Sequence, residues 1–218
     1  MVRLAIPGWI MVEAEVAAFE ILTLAASYFG TAVLAAQSVL MTLAALTFQI
    51  PFSISIASST RVANLIGATL SDAAKVQARV VGCAAVVVGL FNLAWLSALR
   101  NVIPVLFTTD AEVSAIISDV LPLMAAFQLF DSLACNSNGL LRGLGRQEIG
   151  GYVQLAAYYA IAMPVSMGTG FGLGWRLHGL WMGVAIALFL VGLIEGLFIF
   201  NIDWERSVEE ARIRNERG

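Results

Sequence analysis

The sequence predicts an all-α, multi-pass membrane protein with six transmembrane helices. Of its 218 residues, 60% are hydrophobic and 12% are charged, with a mean hydropathy of +0.87, whereas soluble domains carry about 25% charged residues. The apolar residues recur in runs of about 20 or more, long enough to cross a hydrocarbon layer of ~30 Å. Because backbone polar groups must be paired inside lipid, these runs are expected to be helices rather than open strands.

The breaks between apolar runs give six spans. These cover residues 4–26, 32–57, 80–106, 113–140, 150–172 and 178–200. The longest break is the polar stretch from Ser58 to Arg79, which we expect to lie outside the membrane. Residues 1–204 are therefore taken as one six-helix transmembrane domain. Residues 205–218 are predicted to be a charged, solvated cytoplasmic tail that is helical in part.

The positions of the basic residues test this segmentation independently. If the N-terminus is cytoplasmic, all of the 12 Lys and Arg residues except Arg100 and Arg176 fall on the cytoplasmic side. The positive-inside rule expects such an asymmetry, and an odd number of helices would remove it. Both termini are therefore predicted to be cytoplasmic, with the plasma membrane and a vacuolar membrane both left open.

The composition argues against several other classes of protein. A net charge of -3 and a pI near 5.1 disfavour a nucleic-acid partner. Cys83 and Cys135 lie in apolar runs without a second Cys or a His at metal-ligand spacing, and His178 is the only His. We therefore expect no disulfide framework, metal or cofactor. An intramembrane aspartic protease would need two deep Asp residues, whereas only Asp131 is deep, and no channel selectivity motif is visible.

Carboxyl groups without basic neighbours are the main functional signal in the sequence. Glu13, Glu15, Glu20, Asp131 and Glu195 fall well inside predicted spans, where no Lys or Arg is found. An ionised carboxylate in hydrocarbon costs several kcal/mol, so such groups usually mark ion or proton paths. Glu15 and Asp131 are predicted to lie near the bilayer middle, whereas Glu195 is expected to reach the nearby interface. The acids must be protonated, hydrated or bound to a cation, which indicates a proton- or cation-coupled site.

Two polar stripes indicate where these acids point. The stripes consist of Glu13, Glu20 and Ser27 in the first span, and of Gln128, Asp131, Cys135 and Asn138 in the fourth. A polar stripe in lipid turns toward the protein interior, so the two stripes are expected to line a common cavity. Glu15 lies about 140° around an ideal helix from Glu20, which leaves open whether these two acids share the same surroundings.

Four patches of sequence occur in a distinctive order. They are Leu4–Gly8 with Glu15–Glu20, then Ala35–Ser38, then Ile50–Pro51 with Ser59–Ala68, and finally Phe130–Gln147 with Tyr158, Tyr159 and Pro164. In this order and spacing they closely resemble the second half of MATE (multidrug and toxic compound extrusion) transporters, especially those of the fungal branch. The similarity extends to about Trp204.

The resemblance implies a function and a set of site residues. It implies one lobe of a secondary antiporter that exports xenobiotics or organic cations in exchange for protons, in preference to sodium. It also implies that Glu15, Glu20 and Asp131 couple the cation or proton and contribute to substrate recognition. The candidates for the cavity wall are Glu13, Gln37, Thr42, Gln128, Asn138, Tyr158 and Tyr159. Animal relatives carry a further acid at the position of Thr42, and Glu13 is an additional acid.

Length is the main departure from the family. Members have about twelve helices in two lobes and reach the Arg-Leu-Ala-Ile-Pro motif in mid-chain, whereas here it starts at Arg3. Because the family's substrate path lies between the lobes, this lobe is expected to need a second six-helix lobe. A truncated gene product and a half-size membrane protein that does not transport are the alternatives.

Overall fold

The computed structural model describes the backbone of residues 2–216 and the side chains of residues 15–213. Over this range the chain is helical, with short connections. In chain order the helices are α1 (Val2–Ser27), α2 (Thr31–Gly67), α3 (Ser71–Ala98), α4 (Ile103–Phe107), α5 (Ala111–Gly143), α6 (Gln147–Leu155), α7 (Met163–Met167), α8 (Arg176–Asn201) and α9 (Trp204–Glu216). Two π-helical segments, Ala156–Ala162 and Gly168–Gly172, flank α7.

The predicted all-α, multi-pass fold is confirmed. Helices α2, α3, α5 and α8 are each long and apolar enough to cross a membrane. The predicted fifth span lies within a continuous helical run over residues 147–172, in which α-helical and π-helical segments alternate. Because the type of helix changes along its length, we call this run the broken rod. The predicted first span corresponds to α1, whose side chains are described from Glu15 onward.

The predicted break from Ser58 to Arg79 is wrong for most of its length. Helix α2 continues to Gly67, and α3 begins at Ser71. The polar side chains remain helical because their hydroxyl groups donate to carbonyl groups one turn back, as Ser58 does to Ile54 at 2.6 Å. These bonds satisfy the hydroxyl groups within the helix, so a polar stretch need not form a loop.

Helix α5 is the centre of the bundle and packs against α2, α3 and α8. It begins where the Asp110 carboxylate accepts hydrogen bonds from the backbone N–H groups of Glu112 at 2.8 Å and Val113 at 3.3 Å. Its buried side chains belong to two separate apolar clusters. The larger cluster includes Leu40, Ile117, Leu121, Met124, Phe127, Leu180, Trp181 and Val191. The smaller cluster lies at the end of the bundle where α9 packs, called here the tail side, and includes Val62, Ile66, Leu140, Leu141, Ile199 and Trp204.

Two glycines allow the broken rod to lie directly against α8. A Cβ atom at Gly183 would lie 2.6 Å from the carbonyl oxygen of Ala162, and one at Gly179 would lie 2.6 Å from Cα of Gly170. Two hydroxyl groups cross the same contact, because Ser166 donates to the Leu180 carbonyl at 2.8 Å and Thr169 donates to the Gly179 carbonyl at 2.9 Å. Glycines four residues apart on α8 permit this close approach, which holds the rod in place next to α1.

The charged tail forms α9 and packs one face onto the smaller cluster. Trp204, Ser207 and Ala211 are buried on that face, while the charged side chains of residues 205–212 are exposed. Arg146, in the connection between α5 and α6, donates to Glu210 at 2.7 Å. The tail is thus attached to the lobe rather than fully solvated, because its apolar residues recur at helical spacing.

Replacing Glu210 with Gln is expected to weaken the attachment of α9 by up to about 1 kcal/mol, the usual size for a partly exposed ion pair. The loss should show as faster proteolytic cleavage within α9 at low salt and should disappear at high salt, because added salt screens the pair. Glu209→Gln is the matched control, since Glu209 pairs with Arg212 within α9. Equal effects of the two variants would contradict this role for the Arg146–Glu210 pair.

Candidate functional site

A cavity of about 550 Å³ lies between α1, α2 and α5, and it also touches α6 and α8. Its wall is mostly apolar and contains several aromatic rings, namely Phe19, Phe48, Phe52 and Phe127. A few polar groups project into it: Glu15, Glu20, Asp131, Asn138, Arg142 and Gln154. Pockets for small molecules have this size and this combination of apolar wall and sparse polar groups.

The structure brings the three predicted acids to this one cavity. Asp131, on α5, is 4% exposed, Glu15 on α1 is partly buried, and Glu20 one turn further along α1 is exposed. Glu15 and Asp131 lie close enough to interact electrostatically. The angular separation of Glu15 and Glu20 does not place them in different surroundings, because the cavity is wide enough to border both sides of α1.

Tyr158 stands behind the two buried acids. It lies in the π-helical segment Ala156–Ala162 and is fully buried. Its hydroxyl group approaches the Glu15 carboxyl group closely but forms no well-aligned hydrogen bond with any described group. Asp131 and Glu195 also lie within its electrostatic range. Single-turn π-helical distortions occur often at functional sites, and here the distortion falls at this tyrosine.

Arg142 is a cavity residue that the sequence reasoning assigned to a loop. Helix α5 runs three residues beyond its predicted end at 140, so Arg142 belongs to its last turn and its side chain reaches back into the cavity. The guanidinium group donates to Ser55 at 2.9 Å, and the Ser55 hydroxyl group donates to the Cys135 carbonyl at 2.7 Å. An arginine therefore borders the same cavity as the acids, although no described ion pair joins Arg142 to an acid.

Among the predicted wall residues, Asn138 borders the cavity, whereas Gln37 and Thr42 do not. Gln37 is buried between helices, where its side-chain carbonyl accepts a hydrogen bond from the Trp181 indole at 2.9 Å. Thr42 is exposed on α2, and its hydroxyl group donates to the Ser38 carbonyl at 2.9 Å. Thr42 lies on another face of α2, whereas Gln37 lies on the cavity-facing stripe one turn before Met41, where α2 meets the cavity wall.

Three more of the predicted wall residues, Gln128, Tyr158 and Tyr159, do not border the cavity. Gln128 is fully buried with both amide atoms unpaired, and Tyr158 lies behind the wall. Tyr159 follows Tyr158 but points to the outside of the bundle and is 41% exposed. The side chain of Glu13 lies outside the described residues. Adjacent residues on a helix point about 100° apart, so the Tyr-Tyr pair cannot share one wall.

The prediction that Glu195 reaches the interface is wrong. Its side chain is 0% exposed, and neither carboxyl oxygen has a hydrogen-bond partner among the described groups. Val191, Glu195 and Ile199 follow helical spacing on the buried face of α8, so Glu195 is directed into the protein. The distance of Glu195 from the tail along the chain does not indicate which way its side chain points.

Comparison with known proteins agrees with this architecture. The MatE family model matches residues 7–167. An uncharacterized transporter of Saccharomyces cerevisiae is 40% identical over 98% of this chain, which covers 31% of that protein. The multidrug and toxin extrusion protein 2 of Mus musculus is 34% identical over 97% of this chain, which covers 37% of that protein.

A solved structure gives the same result for the fold. The eukaryotic MATE transporter AtDTX14 superposes with a TM-score of 0.89 at 32% identity, over 97% of this chain and 48% of that one. This chain thus spans less than half the length of the relatives that it matches. Because the family model matches most of its length, the chain is an integral membrane protein of the MatE family, built as one lobe of the MATE fold.

Proposed function

We propose that this chain is one lobe of a secondary antiporter that exports organic cations or other xenobiotics in exchange for protons. The observation that carries the proposal is the cavity itself: Glu15 and Asp131 both border it, within electrostatic range of each other, in a largely apolar wall. Two neighbouring carboxylates repel each other, so the pair binds either a cation or at least one proton. A site that holds one or the other at a time can couple two opposite fluxes.

The aromatic wall suits a bulky cation. Phe19, Phe48 and Phe127 present rings to the same space as the acids. The electron-rich face of an aromatic ring attracts a positive charge most strongly when water is excluded. An organic cation therefore gains contact with the rings and with the carboxylates together, whereas a proton needs the carboxylates alone.

Arg142 sets the orientation of a bound cation within the cavity. Its guanidinium group is held at the tail side by Ser55 and carries a permanent positive charge. An organic cation is repelled from this end and is placed between Glu15, Glu20 and Asp131. The arginine also partly offsets the negative charge of the acids when the cavity is empty.

Transport by this lobe requires a second six-helix lobe. Helices α1 and α2 contribute much of the cavity wall, and alternating access in two-lobe transporters moves one lobe against the other around such a site. The lipid bilayer surrounds the pair, with both termini of this chain cytoplasmic and a plasma or vacuolar membrane as the location. The share of each relative that this chain covers supports the need for a further lobe.

The direct test is transport of tetraethylammonium into liposomes in the presence of a pH gradient. The chain is reconstituted alone and together with the other six-helix lobe of the Saccharomyces cerevisiae relative. Accumulation should follow the pH gradient with both lobes present and should collapse when a proton ionophore is added. Equal transport by the chain alone would refute the need for a second lobe. No transport by the pair, with both lobes folded, would favour the non-transporting alternative.

A further inference from the structure

A polar layer separates the two apolar clusters of the lobe. On α5 the larger cluster ends at Ala134 and the smaller one starts at Leu140. On α8 the same change occurs between Val191 and Ile199, and Glu195 is the one described buried side chain in that interval. The buried side chains of the layer are Ser55 and Ser58 on α2, Asn136, Ser137 and Asn138 on α5, Gln154 on α6 and Glu195 on α8.

Several atoms of this layer have no described hydrogen-bond partner. Both carboxyl oxygens of Glu195 are unpaired, and so are the side-chain oxygens of Asn136, Asn138 and Gln154. Each of these side chains is at least nine-tenths buried. Buried polar atoms in native proteins are nearly always paired with protein or with ordered water, so a row of unpaired oxygens indicates bound water.

Tyr158 connects the layer to the cavity acids. Its hydroxyl group is fully buried and unpaired, and Glu195, Glu15 and Asp131 all lie within its electrostatic range. Gln154 precedes it by one helical turn on the same rod and borders the cavity, as does Asn138. Buried polar groups therefore occur both beside the cavity, at Asn138 and Gln154, and at Glu195 on α8.

We propose that Glu195 is a further proton-binding group, which exchanges its proton with the Glu15–Asp131 pair through Tyr158 and water held by Asn136, Asn138 and Gln154. The proton leaves one carboxyl group as the Tyr158 hydroxyl group or a water molecule accepts it and passes another on. Each transfer moves one negative charge in the opposite direction, from the carboxyl group that gains the proton to the one that loses it, and this charge stays within the polar layer and the cavity wall. This inference rests on the proposed proton coupling, and it assigns a carboxyl group outside the cavity to the same process.

The surroundings of Glu195 favour a proton over a metal ion or a salt bridge. In the part of the chain with described side chains, no group of three or more acid, His or Cys residues is placed to hold a metal ion. No described ion pair involves Glu195. The titratable groups of the neighbouring elements are Cys135, Arg142 and Tyr158, with Glu15 and Asp131 beyond them. An ionised carboxylate without a partner is costly in such a place, whereas a protonated one is tolerated.

Infrared spectroscopy of the full chain in lipid nanodiscs tests the proton site directly. The carbonyl band of protonated carboxyl groups at neutral pH should lose a component in Glu195→Gln and remain unchanged in Glu148→Gln, where the replaced residue is exposed. An unchanged band in Glu195→Gln would overturn the assignment. If Glu195→Gln does not fold, the wild-type chain is labelled with a carbodiimide, which reacts with protonated carboxyl groups. Modification of Glu195 is expected, and no modification at neutral or acidic pH would overturn the assignment.

The path through Tyr158 has its own readout and a matched control. After transfer to D2O, the Glu195 component should exchange roughly a hundredfold more slowly in Tyr158→Phe, as expected when a positioned proton-transfer group is removed. Tyr159→Phe, at the exposed neighbouring position, should exchange at the wild-type rate. Equal rates in all three proteins would overturn the path. These spectra do not require transport, so a chain that keeps the Glu195 band but transports nothing refutes the proposed function alone.

Discussion

Replacing Asp131 with Asn is expected to reduce pH-driven transport of tetraethylammonium at least roughly a hundredfold, the usual loss when a positioned proton-transfer group is removed. Asn keeps the shape of Asp but neither binds a proton at this position nor attracts a cation. Asp131 is 4% exposed at the cavity wall, whereas Glu20 in the same cavity is exposed, so Glu20 does not provide an equivalent buried site. The measurement is initial uptake into liposomes at equal amounts of reconstituted protein.

Related variants rank the acids and supply the control. Glu15→Gln should cause a loss of similar size, because Glu15 shares the buried end of the cavity with Asp131. Glu20→Gln should cause a smaller loss, because Glu20 is exposed. Asp119→Asn is the control, since Asp119 lies far along α5 beside His178 at 3.5 Å. Wild-type transport by Asp131→Asn, with normal folding, would contradict the proposed coupling.

Replacing Gly183 with Val is expected to destabilise the lobe by about 3 kcal/mol, at the upper end of the usual cost of overpacking. The new side chain would collide with the backbone of the broken rod at Ala162 and would push away Ser166, which bonds to Leu180 across the same contact. The midpoint of thermal unfolding in detergent should fall by several degrees. Because Tyr158 lies on the same rod, substrate binding should weaken as well.

Gly82→Ala is the matched control for this prediction. Gly82 also lies inside an apolar helix, but a Cβ atom there meets nothing within 4 Å. Its replacement should leave the thermal midpoint unchanged or raise it slightly, because alanine favours a helix over glycine. If Gly183→Val and Gly82→Ala had equal midpoints, the rod and α8 would not be in the close contact described.

The sequence allowed the fold class and the inward direction of two cavity acids to be predicted. Hydrophobic runs of membrane length dictate helices, and an acid in the middle of such a run must face the protein interior. Glu20 and Asp131 belong to the two polar stripes and border one cavity, as expected, whereas the sequence left the surroundings of Glu15 open. These predictions depend on hydrophobicity and helical periodicity, both of which can be read along one chain.

The polar neighbours of the acids could not be predicted in the same way. Arg142 lies beyond the apolar run. It reaches the cavity because α5 continues to Gly143 and because the arginine side chain is long. Glu195 lies near the tail along the chain, yet the packing of α8 on α5 turns it inward. Gln37 and Thr42 show the reverse error, because a polar residue on a spanning helix can bond to another helix or to its own backbone.

The spacing of small residues was similarly ambiguous. Gly179 and Gly183 are four residues apart, and so are Gly192 and Gly196 on the same helix. The first pair meets the backbone of the broken rod, whereas a Cβ atom at Gly196 would meet nothing within 4 Å. Which pair is in close contact depends on the path of the neighbouring rod, and its π-helical segments change that path in a way that helical periodicity does not indicate.

The central claim is that one pair of carboxyl groups binds either protons or an organic cation. Proton release during binding tests it most directly: tetraethylammonium is added to the purified protein in a weakly buffered solution, and the change in pH is recorded. The wild-type protein should release protons as the cation binds, and the Glu15→Gln, Asp131→Asn double variant should release none. Binding without proton release by the wild-type protein, or equal release by the double variant, would contradict the claim.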